Sequence, residues 1–228
     1  MSIETIRKLR HRFARQRLKW QMVDTTVETM VATKTAKTAK TYKKLEMFDF
    51  DGTLFRSWEK EPKWWGGTHL DDGPYSFFVR PESLDEPCVP SSPDGSYWIS
   101  KVVSAAQKAS SDRNTFVVVV TGRVKTHRNR ILDLLKSKGI RPNASYFNPG
   151  MAAAKFKIAV LRNLLISLNT IDEVVIWENE NMKAYENALN TASRVLGRDI
   201  KVTVHAIHVP PEPLKCEPED FGLPSERG

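Results

Sequence analysis

Leu45-Glu46-Met47-Phe48-Asp49-Phe50 is a largely apolar run that reads as a buried strand, and it empties into Asp51-Gly52-Thr53-Leu54. Side chains two apart on a strand share a side, so Asp49 and Asp51 project together where the strand ends. Two carboxylates that close repel unless a cation or a shared proton relieves them. Asp49 can attack phosphorus and form an aspartyl-phosphate. Asp51 can protonate a leaving oxygen and later take a proton from water. Gly52 permits a sharp turn that aims backbone N–H groups at a phosphate, and Thr53 offers a hydroxyl to fix Asp51 or its loop.

Beyond this stretch, apolar strands alternate with amphipathic helices. Residues 115–120, 144–147, 174–177 and 200–207 read as strands, and residues 97–110, 124–138, 152–168 and 181–196 as helices. That alternation predicts an α/β fold with a mostly parallel sheet flanked by helices on both faces. Ligands in such sheets sit at the carboxyl ends of the strands. Three further candidates lie there. Thr121-Gly122-Arg123 follows the second strand: Thr121 can donate to a phosphate oxygen, Gly122 lets a helix N-terminus approach it, and Arg123 can charge the substrate or fix the loop. Lys155 or Lys157, early in the third helix, can offset charge on a phosphoryl group and on Asp49. Glu178 and Asn179, after the strand at 174–177, can complete an oxygen shell around Mg2+ together with Asp49 and Asp51. Paired aspartates, Thr-Gly or a helical lysine are each commonplace; their order along one chain gives them weight.

Composition frames this core. The chain has 228 residues and a net charge of +8, with 40% apolar and 27% charged residues, as in a soluble globular protein. Residues 1–44 hold twelve Lys and Arg against three Asp and Glu, whereas residues 45–208 and the tail together are within one charge of neutral. The basicity belongs to an arm, so net charge does not make the body a nucleic-acid binder. Ile6, Leu9, Phe13, Trp20, Val23, Val27 and Met30 put an apolar face on an N-terminal basic helix, which a Lys-rich linker follows. That arm reads as a helix packed on the body or on a protein partner, as a mitochondrial transit segment, or as a phosphate-contacting arm. Residues 51–96 read as an inserted lid segment rich in Pro, Gly and Trp, and residues 209–228 as a Pro/Glu-rich tail. Trp58, Trp64, Trp65 and Trp98 lie in or beside the lid and can stack on a base or form its own small core. His69 and His127 read as loop or cap residues. Cys88 and Cys216 are far apart and outside any CxxC, which argues against a disulfide framework or zinc and for an intracellular setting, mitochondrial, cytoplasmic or nuclear. No apolar run is long enough to span a membrane.

Phe48-Asp49-Phe50-Asp51-Gly52-Thr53-Leu54 and Val120-Thr121-Gly122-Arg123 resemble the first two motifs of the haloacid dehalogenase (HAD) superfamily of phosphohydrolases. Residues 51–56 (DGTLFR), Trp64-Trp65-Gly66, Pro81-Glu82-Ser83-Leu84 and Trp98 further resemble its Swiss Army Knife RNA repair-like branch. The resemblance covers about residues 45–185 and implies a Rossmann-like HAD fold. It implies phosphatase chemistry on nucleic-acid ends or nucleotides, so the chain reads as a Mg2+-dependent phosphomonoesterase acting on terminal phosphates of RNA or DNA, and the residues themselves offer Arg123, Trp64 and Trp65 as substrate contacts. It favours Lys157 over Lys155, because the branch has a Phe-Lys in its third motif. The fourth motif departs: Asn179 stands for an aspartate, Glu180 for an arginine and Lys183 for a histidine. These changes leave room for two other readings, a catalytically weak or inactive module serving as an RNA-binding or scaffold subunit, and a nucleotide or small-metabolite phosphatase.

Overall fold

The computed structural model describes residues 41–57, 79–86 and 88–208. The arm helix, Trp58, Trp64, Trp65, His69, the middle of the expected lid and the tail lie outside the described residues. Five strands form one parallel sheet in the order β3-β2-β1-β4-β5: β1 (Lys44–Phe48), β2 (Thr115–Val124), β3 (Ala144–Asn148), β4 (Glu173–Glu178) and β5 (Lys201–Ala206). Four described helices connect them: α1 (Ser100–Ser111), α2 (Arg128–Ser137), α3 (Ala153–Ser167) and α4 (Met182–Leu196).

Strand parity assigns each face its helices. Phe48, Val117, Val119, Val175 and Trp177 pack with Val102, Val103 and Ala106 of α1 and Ile131, Leu134 and Leu135 of α2. Leu45, Met47, Phe116, Val118, Val120, Val174 and Ile176 pack with Phe156, Val160 and Leu164 of α3 and Tyr185 and Leu189 of α4. Both faces are covered, which is why the central strands read as continuous apolar runs. Emptying either core is costly: a buried Phe such as Phe156 cut to Ala loses about 3–5 kcal/mol.

The chain winds from β1 outward to β3, then crosses back to β4 and outward to β5. The strand order reverses between β1 and β4, and that crevice is where a doubly wound sheet binds ligands. Asp49 follows β1 there, and Glu178 ends β4 beside it.

Two expected boundaries move. β2 runs on through Thr121-Gly122-Arg123 to Val124, with a register shift against β3 between Thr121 and Val124. Gly122 therefore lies in a strand end; the first helical turn begins only at Lys125. β1 stops at Phe48, because Phe50 already closes a turn by accepting the Leu54 and Phe55 amides at 3.0 and 2.9 Å. Both limbs of the 51–96 segment meet at its base. The Arg56 amide donates to the Tyr97 carbonyl at 2.8 Å, and the Ile99 amide to the Leu54 carbonyl at 3.1 Å. Phe55 and Trp98 pack edge to face between them, so Trp98 belongs to the core and not to a base-stacking surface.

Candidate active site

Asp49 is held first by its backbone, whose amide donates to the Trp177 carbonyl of β4 at 3.0 Å. It shares parity with Leu45 and Met47, the side of the sheet that α3 covers. The consequence is an ion pair: Lys157 Nζ of α3 lies 2.7 Å from Asp49 Oδ1. The same ammonium donates to Glu178 Oε2 at 2.9 Å and Oε1 at 3.2 Å. Glu178 is further fixed by the Tyr185 hydroxyl, donating at 2.8 Å, and by the Asn179 amide at 3.2 Å. Thr53 Oγ1 lies 3.4 Å from Asp49 Oδ2, so Thr53 serves Asp49 and not the neighbour expected for it. Lys155 is exposed, and Lys157 is the inward lysine.

Burial pushes the Asp49 carboxyl well above the usual carboxylate range, and Glu178 pushes it further; Lys157 opposes this, and Asp51 adds to it. For Lys157, burial alone would lower the proton affinity, but Asp49 and Glu178 outweigh it and the ammonium is raised. Burial and Glu178 together raise the Tyr185 phenol, which stays a proton donor.

Asp51 is gripped from other directions. Arg123 Nε donates to its Oδ1 at 2.8 Å and Oδ2 at 3.1 Å. Ser57 Oγ donates to Oδ1 at 2.5 Å, and Thr121 Oγ1 lies 3.4 Å from Oδ2. Arg123 is fully buried with its Nε on Asp51, an arrangement that suits the loop-fixing alternative expected for it. Gly52 has φ +69°, and a Cβ there would fall 2.4 Å from Asn179 Nδ2. Glycine is thus required twice, by its backbone and by the Asn179 amide lying over it. Glu180 and Lys183 are exposed.

Among the described residues the ion pairs of this cluster set three carboxylates, Asp49, Asp51 and Glu178, against Lys157 and Arg123. Burial is the first cause of the raised proton affinity of Asp49, and repulsion by Glu178 and Asp51 adds to it. A hard divalent cation would relieve that repulsion. Among the described residues no three His, Cys, Asp or Glu side chains converge as a metal cage. Mg2+ needs none, since it keeps several waters and takes one or two carboxylates plus substrate oxygens. Asp49 and the Asn179 amide fit that demand. Glu178 and the Asp51 carboxylate, also expected among the ligands, bond to Lys157 and Tyr185 and to Arg123 and Ser57 in this structure.

The HAD domain family 1 in Swiss Army Knife RNA repair proteins matches residues 54–220. The chain belongs to that family. No curated protein matches the chain. The family assignment makes this a HAD domain of RNA-repair type, and HAD domains are mostly phosphatases that use Mg2+. The family match begins just past Asp49 and Asp51, so these two rest on their own geometry. No described helix is long and apolar enough to cross a membrane.

Two residues of this HAD site, Ser57 and Tyr185, escaped the sequence, and Ser83 entered only within the Pro81–Leu84 resemblance, with no role assigned. Ser57 and Tyr185 touch Asp51 and Glu178 six and seven residues away, whereas Ser83 reaches Arg123 across forty residues. Ser57 and Ser83 follow no periodicity. Tyr185 falls in phase with Leu189 and Ala192 and reads only as core.

Proposed function

We propose that this HAD domain is a Mg2+-dependent phosphomonoesterase that works through an aspartyl-phosphate on Asp49 and acts on terminal phosphates of RNA or DNA. The supporting observation is the buried Asp49, held at one oxygen by Lys157, with Asp51 two residues on. The Asp49 oxygen that Lys157 does not hold forms the bond to phosphorus while the bond to the leaving oxygen breaks. Asp51 delivers a proton to that oxygen. Water then attacks phosphorus, Asp51 takes its proton, and the bond to Asp49 breaks, which releases phosphate and restores both carboxyl groups. Lys157, Thr121 and the backbone at Gly122 hold the phosphoryl oxygens in this reading. Bound at Asp49 and Asn179, Mg2+ would screen the nucleophile from the anionic substrate and polarise the phosphoryl group.

The nucleic-acid substrate rests on the RNA-repair family and on the basic arm of residues 1–44, with Trp64 and Trp65 as stacking candidates in the lid. The test compares phosphate release from 3′- and 5′-phosphorylated oligonucleotides with release from mononucleotides, with Mg2+, for the full chain, for the chain without residues 1–44 and for Asp49→Asn. Faster release from oligonucleotides that vanishes in Asp49→Asn is the expected result. Preference for mononucleotides moves the substrate to small phosphate esters. Folded protein that releases no phosphate from anything refutes the enzyme and leaves a scaffold, the reading that the neutral Asn179 favours.

A further inference from the structure

The carboxylate of Asp51 is aimed by Arg123, and Arg123 is itself aimed by something else. A guanidinium held only at Nε can still swing about that contact. Its second anchor is Ser83, whose Oγ accepts from Arg123 Nη1 at 2.5 Å. Ser83 is buried and its hydroxyl donates to the Arg80 carbonyl at 2.7 Å. A hydroxyl can accept from the arginine and donate to the carbonyl at once; a methyl group can do neither.

Ser83 sits on the limb by which the 51–96 segment returns to the sheet, and that limb is bolted down. His127 Nε2 lies 2.8 Å from the same Arg80 carbonyl. Burial and the charge of Arg123 lower the His127 proton affinity, so the ring is neutral and donates there. Arg130 donates to the carbonyls of Leu84, Pro90 and Ser91 at 3.0, 2.6 and 3.0 Å and pairs with Asp85 at 3.3 Å. Arg123, His127 and Arg130 thus come from one short stretch across the end of β2 and the start of α2, and all three grip residues 80–91. The far end of the relay is main chain held by these contacts.

We infer that Ser83 is a positioning residue for proton delivery by Asp51, acting through Arg123, so that the returning limb of the insertion sets the aim of the acid. The inference rests on the phosphatase reading for the identity of the acid, but the relay itself is geometric. Asp51 matters most when the leaving oxygen is basic and needs its proton early, and least for a phenolate that leaves unaided. A misplaced acid therefore slows the two kinds of ester unequally, whereas general loosening of the fold slows both alike.

The experiment uses the full chain with Ser83→Ala and Ser83→Thr, an alkyl phosphate and p-nitrophenyl phosphate, and reads kcat/KM, which covers the steps through leaving-group expulsion. Ser83→Ala should lower kcat/KM about tenfold or more for the alkyl ester and less than about threefold for the aryl ester. Ser83→Thr, which keeps the hydroxyl, should restore most of the loss. Equal losses on the two esters, or no loss, overturn the inference. A second measurement stands apart from turnover: the exchange rate of the Arg123 Nε–H in arginine-labelled protein by NMR. Ser83→Ala should speed it about tenfold while core amides keep their protection; an unchanged rate overturns the relay. If the wild type releases phosphate neither from these esters nor from phosphorylated oligonucleotides, the phosphatase reading fails by itself, and the NMR result alone decides whether Ser83 positions Arg123.

Discussion

Replacing Lys157 by methionine removes the only ammonium between Asp49 and Glu178 among the described residues, and the cost can be worked from the distances. At 2.7 Å and an effective dielectric constant near 20, one such pair is worth about 6 kcal/mol of Coulomb attraction. Much of that is offset, because charges lost from water were costly to bury and Asp49 can take up a proton instead. Breaking a buried pair by deleting one partner typically costs about 3–5 kcal/mol at neutral pH. For a domain of this size that lowers Tm by roughly 6–20 °C. The deficit must also depend on pH. Without Lys157, the ammonium that holds the Asp49 proton affinity down is gone, so its folded pKa rises further above the ordinary carboxylate value. Folded protein then binds protons more tightly than unfolded, and stability grows as pH falls through that raised pKa. Thermal denaturation of Lys157→Met and wild type from pH 8 to pH 5 should show the gap narrowing toward acid. A Tm within a degree or two of wild type at neutral pH, or a gap that ignores pH, would refute the reasoning.

Other outcomes follow from the same geometry. In metal-free buffer near neutral pH, Asp49→Asn should raise Tm while abolishing turnover, because burial, Glu178 and Asp51 all make that anion costly; a lower Tm contradicts the charge argument. Gly52→Ala should lose about 1–3 kcal/mol in denaturant titration, since it combines a left-handed backbone with a Cβ 2.4 Å from Asn179 Nδ2. Asn179→Asp should tighten Mg2+ binding about tenfold by titration calorimetry, and an unaltered isotherm removes Asn179 from the metal shell. Tyr185→Phe should cost about 1–3 kcal/mol by stripping a donor from buried Glu178, which calorimetric unfolding can read.

Much of this architecture was visible in the chain. β2 and β4 announce themselves as β-branched runs, and the chemistry hangs on the ends of β1, β2 and β4, where a parallel sheet must put it. The inward lysine was not readable from helical phase, because Lys155 and Lys157 each have apolar residues three and four positions on; only the Phe-Lys of the resemblance favoured Lys157, which the structure places on the buried stripe of α3 with Val160, Leu161 and Leu164. The end of β2 was harder. Thr121-Gly122-Arg123 looks like a loop, and only pairing with β3 keeps it extended. Arg123 reads equally as a substrate-facing or a loop-fixing charge until Asp51 and Ser83 are brought to it, and the hydroxyl of Ser83 gives no local signal of that contact because its partner is forty residues away. Contacts of that kind are set by how the sheet closes, which no window of sequence contains.

The stitching of Leu54–Arg56 to Tyr97–Ile99 has an evolutionary corollary. An excursion whose exit and re-entry are tied at one point can grow, shrink or be exchanged with little thermodynamic penalty, because closure entropy rises only with the logarithm of its length. Lineages sharing this sheet are thus at liberty to vary the length of the stretch between those two anchor points. Tolerated length changes should therefore concentrate between positions 57 and 79 and avoid the limb at 80–91.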